Sequence, residues 1–212
     1  MVSIILPFVR VEGAARCLDA VSKNAGDVIY EVVAEEDKDG IGCNPMVNRL
    51  VAKSKFDIVC FVHDDSVPQK NFLENAFRTM KTFPDGYGCV GFNDMVHDID
   101  APCTHWMIHK KMLKYFPDGV FYSEDYIHTR VDLELKEVCK AVGRYKWDKY
   151  ARIKHMTPFY YSIDLDSSYR RCYSADSIRQ DRATFIKRRK DQNAKWADPK
   201  IARVRKRRDP SI

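Results

Sequence analysis

The chain has 212 residues of which 45% are apolar, enough for one sizeable core with an appendage rather than two full domains. Its formal charge of +6 is uneven: residues 161–212 carry 15 Lys and Arg against 7 Asp and Glu, so the rest of the chain is slightly acidic. No run reaches the roughly 18–20 apolar residues of a membrane span, and seven cysteines without a CxxC spacing exclude a disulfide framework or a zinc site, as expected of reduced thiols in a cytoplasmic protein.

In chain order, residues 2–9 (VSIILPFV) predict a strand and Ala14 to Lys23 a helix. A second strand, Val28 to Ala34, runs into the acidic stretch Glu35-Glu36-Asp37-Lys38-Asp39-Gly40, a loop by composition. Asn44 to Lys53 reads as a helix and Asp57 to Val62 as a third strand, a short β-branched run suited to a covered sheet. That strand ends in His63-Asp64-Asp65, then a loop, then a turn at Pro68 into a helix from Asn71 to Lys81. Alternating strands and helices predict a mostly parallel sheet covered on both faces, which collects ligands at the carboxyl ends of its strands. Here those ends are Pro7-Phe8, Glu35-Glu36-Asp37 and His63-Asp64-Asp65.

The second half is less regular. Tyr87 to Phe92 and Pro102 to Ile108 predict strands, and His109 to Tyr115 a short helix. Tyr122-Ser123-Glu124-Asp125 supplies a second acidic group, and Asp132 to Val142 reads as a helix closed by Gly143. A strand around Tyr150 to Ile153 leads to His155. From Ser174 onwards the pattern is a long, basic helix with Ile178, Phe185 and Ile186 as its few apolar residues. Two domains are therefore expected: a catalytic unit over 1–160 and a basic helical extension over 161–212.

Two adjacent carboxylates at a strand tip repel each other. Either they are a solvated acidic turn, or a positive group sits between them, such as a divalent cation carrying phosphates. His105 and His109 have the i, i+4 spacing of a helical metal pair but no third ligand nearby, and Trp106 serves equally as core or as pocket wall.

Across residues 2–155 the arrangement resembles the GT-A glycosyltransferases, and within them the large family-2 type. VSIILPFVR resembles that family's opening strand, and EVVAEED its second strand, whose terminal acids hold the base and ribose of a nucleotide sugar. Asn48 lies 15 residues before His63, the family's common spacing between a helical Asn and its DxD motif. The resemblance implies an αβα sandwich, with Pro7, Phe8, Glu35, Glu36, Asp37, Asn48 and Asp64 on the nucleotide sugar. It places Asp65 on the metal-binding carboxylate, with His63 standing where the first acid of DxD would be, and His155 on the family's late histidine. Mn²⁺ or Mg²⁺ is the implied cofactor.

The family's general base maps to Asp125 or Glu124, the pair that follows Gly119, or to Asp132, which opens a helix ending in Gly. For Asp132 a favourable interaction with the helix dipole is the competing explanation. Direct displacement assisted by such a base inverts the anomeric configuration.

The tail bears on the acceptor. Tyr169, Tyr173, Phe185 and Trp196 interleave with its basic residues, as in a segment that holds DNA or RNA by phosphate contacts. In this it resembles phage-encoded transferases that glycosylate hydroxymethylated bases in DNA. A cell-surface polysaccharide or a lipid-linked acceptor at an anionic membrane face is the competing expectation. Two other classes stay open: a nucleotidyltransferase, for which VRVEGAARC is a thin version of the phosphate loop, and a non-catalytic nucleic-acid-binding module.

Overall fold

The computed structural model describes residues 1–97, 103–158, 161 and 167–196. Seven strands form one sheet: β1 (Val2–Phe8), β2 (Tyr30–Glu36), β3 (Ile58–Phe61), β4 (Ser66–Pro68), β5 (Cys89–Asn93), β6 (Trp106–His109) and β7 (Tyr145–His155), ordered β2-β1-β3-β6-β5-β7-β4. β1 pairs in parallel with β2 and β3, and β5 with β7, while β6 and β4 run against their neighbours. The sheet is thus mostly parallel.

The layers follow from the two-residue period of the strands. On β1, Ile5 faces one core while Ile4 and Leu6 face the other; β3 divides Val59 and Phe61 from Cys60 in the same way, and β6 divides Trp106 and Ile108 from Met107. Helices α1 (Val11–Asn24) and α3 (Phe72–Met80) close the second core with Ala14, Cys17, Val21, Phe72, Leu73 and Ala76. Helices α2 (Cys43–Lys53) and α4 (Val131–Ala141) close the first with Val47, Leu50, Leu135 and Val138. Trp106 is wholly buried there and donates its indole N–H to the Tyr122 hydroxyl (3.1 Å), so it is a core residue.

Several elements differ from expectation. The segment after Asp65 is a strand: β4 pairs with β7, setting Ser66 opposite His155. β7 extends from 145 to 155 because it joins β5 over its first half and β4 over its last, with an irregularity at Phe92/Asn93 that re-aims it. His105 precedes strand β6 and His109 ends it, and the His109 ring caps the following 3-10 helix Lys110–Tyr115 by accepting from the Lys111 N–H, so they form no helical metal pair. All seven cysteines are free.

The polar C-terminal segment is bound to the body. Helices α5 (Ser167–Cys172) and α6 (Ala175–Trp196) follow the sheet, and Phe185 joins the first core while Ile178 and Ile186 stay exposed. Asp181 is fully buried and accepts N–H bonds from Ile127, His128 and Thr129 at 2.7–3.0 Å. Arg188 reaches Glu134, Asp125 and Asp118. The basic run Arg203 to Arg208 lies outside the described residues.

Candidate active site

A cavity of about 1050 Å³ opens at the carboxyl ends of β1 and β3. Its walls include Pro7, Phe8, Arg10 and His63-Asp64-Asp65 from the strand tips, Asp37 to Met46 from the loop into α2, and Glu124, Tyr126 to Leu133, His155 and Tyr169. Pro7, Phe8, Asp37, His63, Asp64, Asp65, Glu124, Asp132 and His155, singled out from sequence, therefore share one space.

The tip of β3 is built tightly. Ser66 closes the turn with its N–H and hydroxyl on the His63 carbonyl, and its hydroxyl oxygen accepts from the His63 N–H. Gly13 of α1 presses against the loop, for a Cβ there would stand 2.2 Å from the Asp64 carbonyl oxygen. Asp64 accepts the backbone N–H groups of Val9 (3.0 Å) and Arg10 (2.9 Å) and pairs with the Arg10 guanidinium. Asp64 is thus a structural anchor that joins the tips of β1 and β3.

Asp65 faces inward beside it. One carboxylate oxygen takes the Tyr169 hydroxyl, lies 3.5 Å from His155 Nε2 and 3.8 Å from the Arg10 guanidinium. Burial alone would raise the Asp65 pKa, but the His155 contact outweighs it and holds the carboxyl well below its usual range. For His155 burial disfavours the charge, and Asp65 more than reverses that, so the imidazole titrates above its ordinary value. Burial pushes His63 and His105 the other way, toward the neutral form. The three rings lie 5.0–5.8 Å apart between centroids, and the His63 Nε2 sits 3.1 Å from the Thr104 carbonyl oxygen.

Among the described residues no three His, Cys, Asp or Glu side chains are arranged to hold a metal ion between them. Yet Asp65 Oδ1 and His155 Nδ1 are buried and have no hydrogen-bond partner, which is costly unless something else fills the role. A carboxylate and an imidazole fit Mn²⁺ or Mg²⁺ if phosphate oxygens and water complete the shell, the usual arrangement for a cation carried by a diphosphate.

Across the cavity, Asp132 begins α4, where its carboxylate accepts the Leu133 N–H (2.8 Å). Enclosure by the cavity walls raises its pKa above the ordinary carboxylate value, only partly offset by that N–H and by His155 and His97. Asp125 lies outside the cavity in a 2.7 Å ion pair with Arg188. Glu124 lines the cavity and accepts from Asn48 (3.2 Å).

Asn48 itself stands outside the cavity, stapling the Tyr122 backbone through its amide, donating at 2.7 Å and accepting at 3.2 Å. The acids after β2 are also occupied. Glu35 bonds Arg49 and Lys53, Glu36 lies 3.6 Å from Lys38, and Asp37 accepts the N–H groups of Ile41 and Gly42 at 2.8 Å. Glu35 and Glu36 border a shallower depression of about 500 Å³ beside the main cavity.

Sequence reasoning missed the roles of Arg10, Asp181 and Arg188 here, and it set Tyr169 against a nucleic acid rather than against Asp65. Arg10 stood in the quoted stretch VSIILPFVR, but nothing local says its side chain returns to the tip of β3. The other three lie in a segment whose composition reads as a basic tail for a polyanion.

No family model and no curated protein matches the sequence. Solved structures do match. S. aureus TarS 1-349 superposes with a TM-score of 0.57 at 13% identity, over 74% of this chain and 60% of that one, so this chain spans well under two thirds of it. The mannosyltransferase PcManGT from Pyrobaculum calidifontis, in complex with GDP-Man and Mn²⁺, gives 0.56 at 13% identity, over 88% and 64%. Glucosyl-3-phosphoglycerate synthase from Mycobacterium tuberculosis, in complex with Mg²⁺ and UDP, gives 0.54 at 13% identity, over 74% and 72%. With its mostly parallel sheet between two helical layers and its cavity at the strand tips, the chain has the GT-A fold of the nucleotide-sugar glycosyltransferases.

Proposed function

We propose that the protein is a metal-dependent, inverting glycosyltransferase that moves a sugar from a nucleotide diphosphate to an acceptor hydroxyl. The observation that carries this reading is the pairing, within one cavity, of the buried Asp65–His155 couple with Asp132, a carboxylate of raised pKa. Pro7, Phe8 and the loop from Asp37 supply a wall for the nucleotide. Asp65 and His155 would hold the cation, which when bound supplies positive charge to the departing diphosphate.

Asp132 is the base. It takes the proton of the acceptor hydroxyl as that oxygen bonds to the anomeric carbon, and the bond from that carbon to the diphosphate breaks, its electron pair leaving with the phosphate oxygen. Attack opposite the leaving group inverts the configuration. Asp125 is already committed to Arg188, and Glu124 to Asn48, which favours Asp132 over both.

For the acceptor we favour DNA carrying a hydroxymethylated base. Helix α6 starts at the cavity mouth, where Ile178 lines it, and Arg179, Arg182, Lys187 and Lys190 stay exposed along its outer side. Such a stripe suits phosphate contacts without base readout. Arg188 is not part of it, being spent inward. The test is turnover of a hydroxymethylated duplex by wild type and by a variant with Arg179, Arg182, Lys187 and Lys190 changed to Gln. A loss that added salt reproduces in the wild type supports DNA. Equal turnover, or turnover only on a polysaccharide or lipid-linked acceptor, removes DNA. Within the described residues no helix is long and apolar enough to cross a membrane.

A further inference from the structure

Asp64 and Asp65 converge on one cation that belongs to the chain itself. The Arg10 guanidinium is paired with Asp64, its same terminal nitrogen lies 3.8 Å from Asp65, and its central carbon sits 4.7 Å from the centre of the Tyr169 ring. Tyr169 in turn donates its hydroxyl to Asp65. A guanidinium, two carboxylates and a phenol thus close a ring across the tip of β3, on the wall of the cavity that receives the donor. The backbone N–H groups of Val9 and Arg10 hold one oxygen of Asp64 and the Arg10 guanidinium holds the other, while the same guanidinium nitrogen also faces Asp65. Arg10 therefore brings a positive charge to the same carboxylate that would bind a divalent cation, on its Oδ2 side.

Two cations beside one carboxylate repel strongly at this depth. We propose that Arg10 is the resting counter-ion of Asp65 and excludes a divalent cation from the donor-free protein, yielding its place when a nucleotide diphosphate arrives. The diphosphate then becomes the new partner of the guanidinium, whose planar fork matches phosphate oxygens. Metal and donor in consequence bind as a unit, with Arg10 holding the phosphates and Asp65 with His155 holding the metal. The Arg10 side chain is 32% exposed and lines the cavity wall. The inference rests on the donor-site reading given above.

The experiment measures Mn²⁺ binding by electron paramagnetic resonance and calorimetry, with no nucleotide and then with a saturating nucleoside diphosphate. Four proteins are compared: wild type, Arg10→Ala, Arg10→Lys and Asp65→Ala, with circular dichroism and melting confirming that each is folded. Without nucleotide, Arg10→Ala is expected to bind Mn²⁺ at least about tenfold more tightly than wild type, and Arg10→Lys to resemble wild type. With nucleotide the order reverses, because Arg10→Ala lacks its phosphate contact. Equal or weaker Mn²⁺ binding by Arg10→Ala without nucleotide overturns the proposal, even if Asp65→Ala abolishes binding and the donor-site reading survives. Mn²⁺ binding that Asp65→Ala leaves untouched overturns the donor-site reading, and this proposal with it. Should Arg10→Ala fail to fold, Arg10→Gln, which keeps the stem and a hydrogen-bonding head, carries the same expectation.

Discussion

Replacing Arg188 with alanine tests whether the C-terminal helix is part of the folded body. The Arg188 side chain is only 11% exposed and meets Glu134, itself 8% exposed, through its Nε at 3.0 Å. Burial disfavours the Arg188 charge, and Glu134 outweighs it, so the guanidinium is held firmly protonated. Removing one partner of a buried pair costs about 3–5 kcal/mol. Glu134 keeps bonds from Gln192 and the Tyr126 hydroxyl, which places the expected loss at the lower end, about 3 kcal/mol. The pairs with Asp118 and Asp125, 43% and 65% exposed on the acidic side, add less than about 1 kcal/mol each. For a chain of this size about 3 kcal/mol lowers Tm by roughly 6–12 °C. Calorimetric melting of Arg188→Ala and Asp125→Asn at low and high salt checks it. The first variant is expected to lose most of its increment at either salt concentration; the second is expected to lose little, and only at low salt. An Arg188→Ala Tm within about 2 °C of wild type would show that α6 merely rests on the surface.

Three further outcomes are expected. Asp132→Asn lowers kcat by about 10²–10⁴-fold with donor affinity retained; in the wild type, activity falls as pH drops through the raised Asp132 pKa, an acid limb above the ordinary value near 3.9, and steady-state kinetics across pH would show it. Gly13→Ala forces a methyl against the Asp64 carbonyl, and a falling Tm together with weakened nucleoside diphosphate binding in titrations would register the displaced loop. Tyr169→Phe leaves the ring under Arg10 but removes the hydroxyl from Asp65, costing about 1.5–3 kcal/mol in denaturant unfolding, the range for a hydrogen bond to a charged group.

β1 and β3 were legible because strands buried on both sides read as apolar runs, as VSIILPF and IVCF do. Of β7 only the stretch around Tyr150 to Ile153 was legible; its first half, which pairs with β5, was not, since YKWDKYARIKH alternates polar and apolar residues on a partly exposed strand. The strand tips pointed to the cavity, and nine of the residues singled out line it. Asn48, Glu35 and Asp125 carry the right residue types at the right spacing, yet each is bound to a neighbour that sequence does not reveal: the Tyr122 backbone, Lys53 and Arg188. The reverse error befell α6. Its net charge suggested a tail that reaches for a polyanion, but Asp181 and Arg188, one of each sign, turn inward and fasten the wall around residues 127–134. Net charge says nothing of which charges are paired.

The measurement to make first is thermal stabilisation by UDP, GDP, CDP and dTDP, each with and without Mn²⁺, on wild type and Asp65→Ala. A diphosphate present at 100 times its Kd adds about 2.7 kcal/mol, or roughly 5–11 °C in Tm. One nucleotide is expected to give such a shift with wild type and Mn²⁺, and to lose it when either the metal or the Asp65 carboxylate is removed. No shift with any of the four, or a shift that Asp65→Ala leaves intact, would contradict a donor site at the tip of β3.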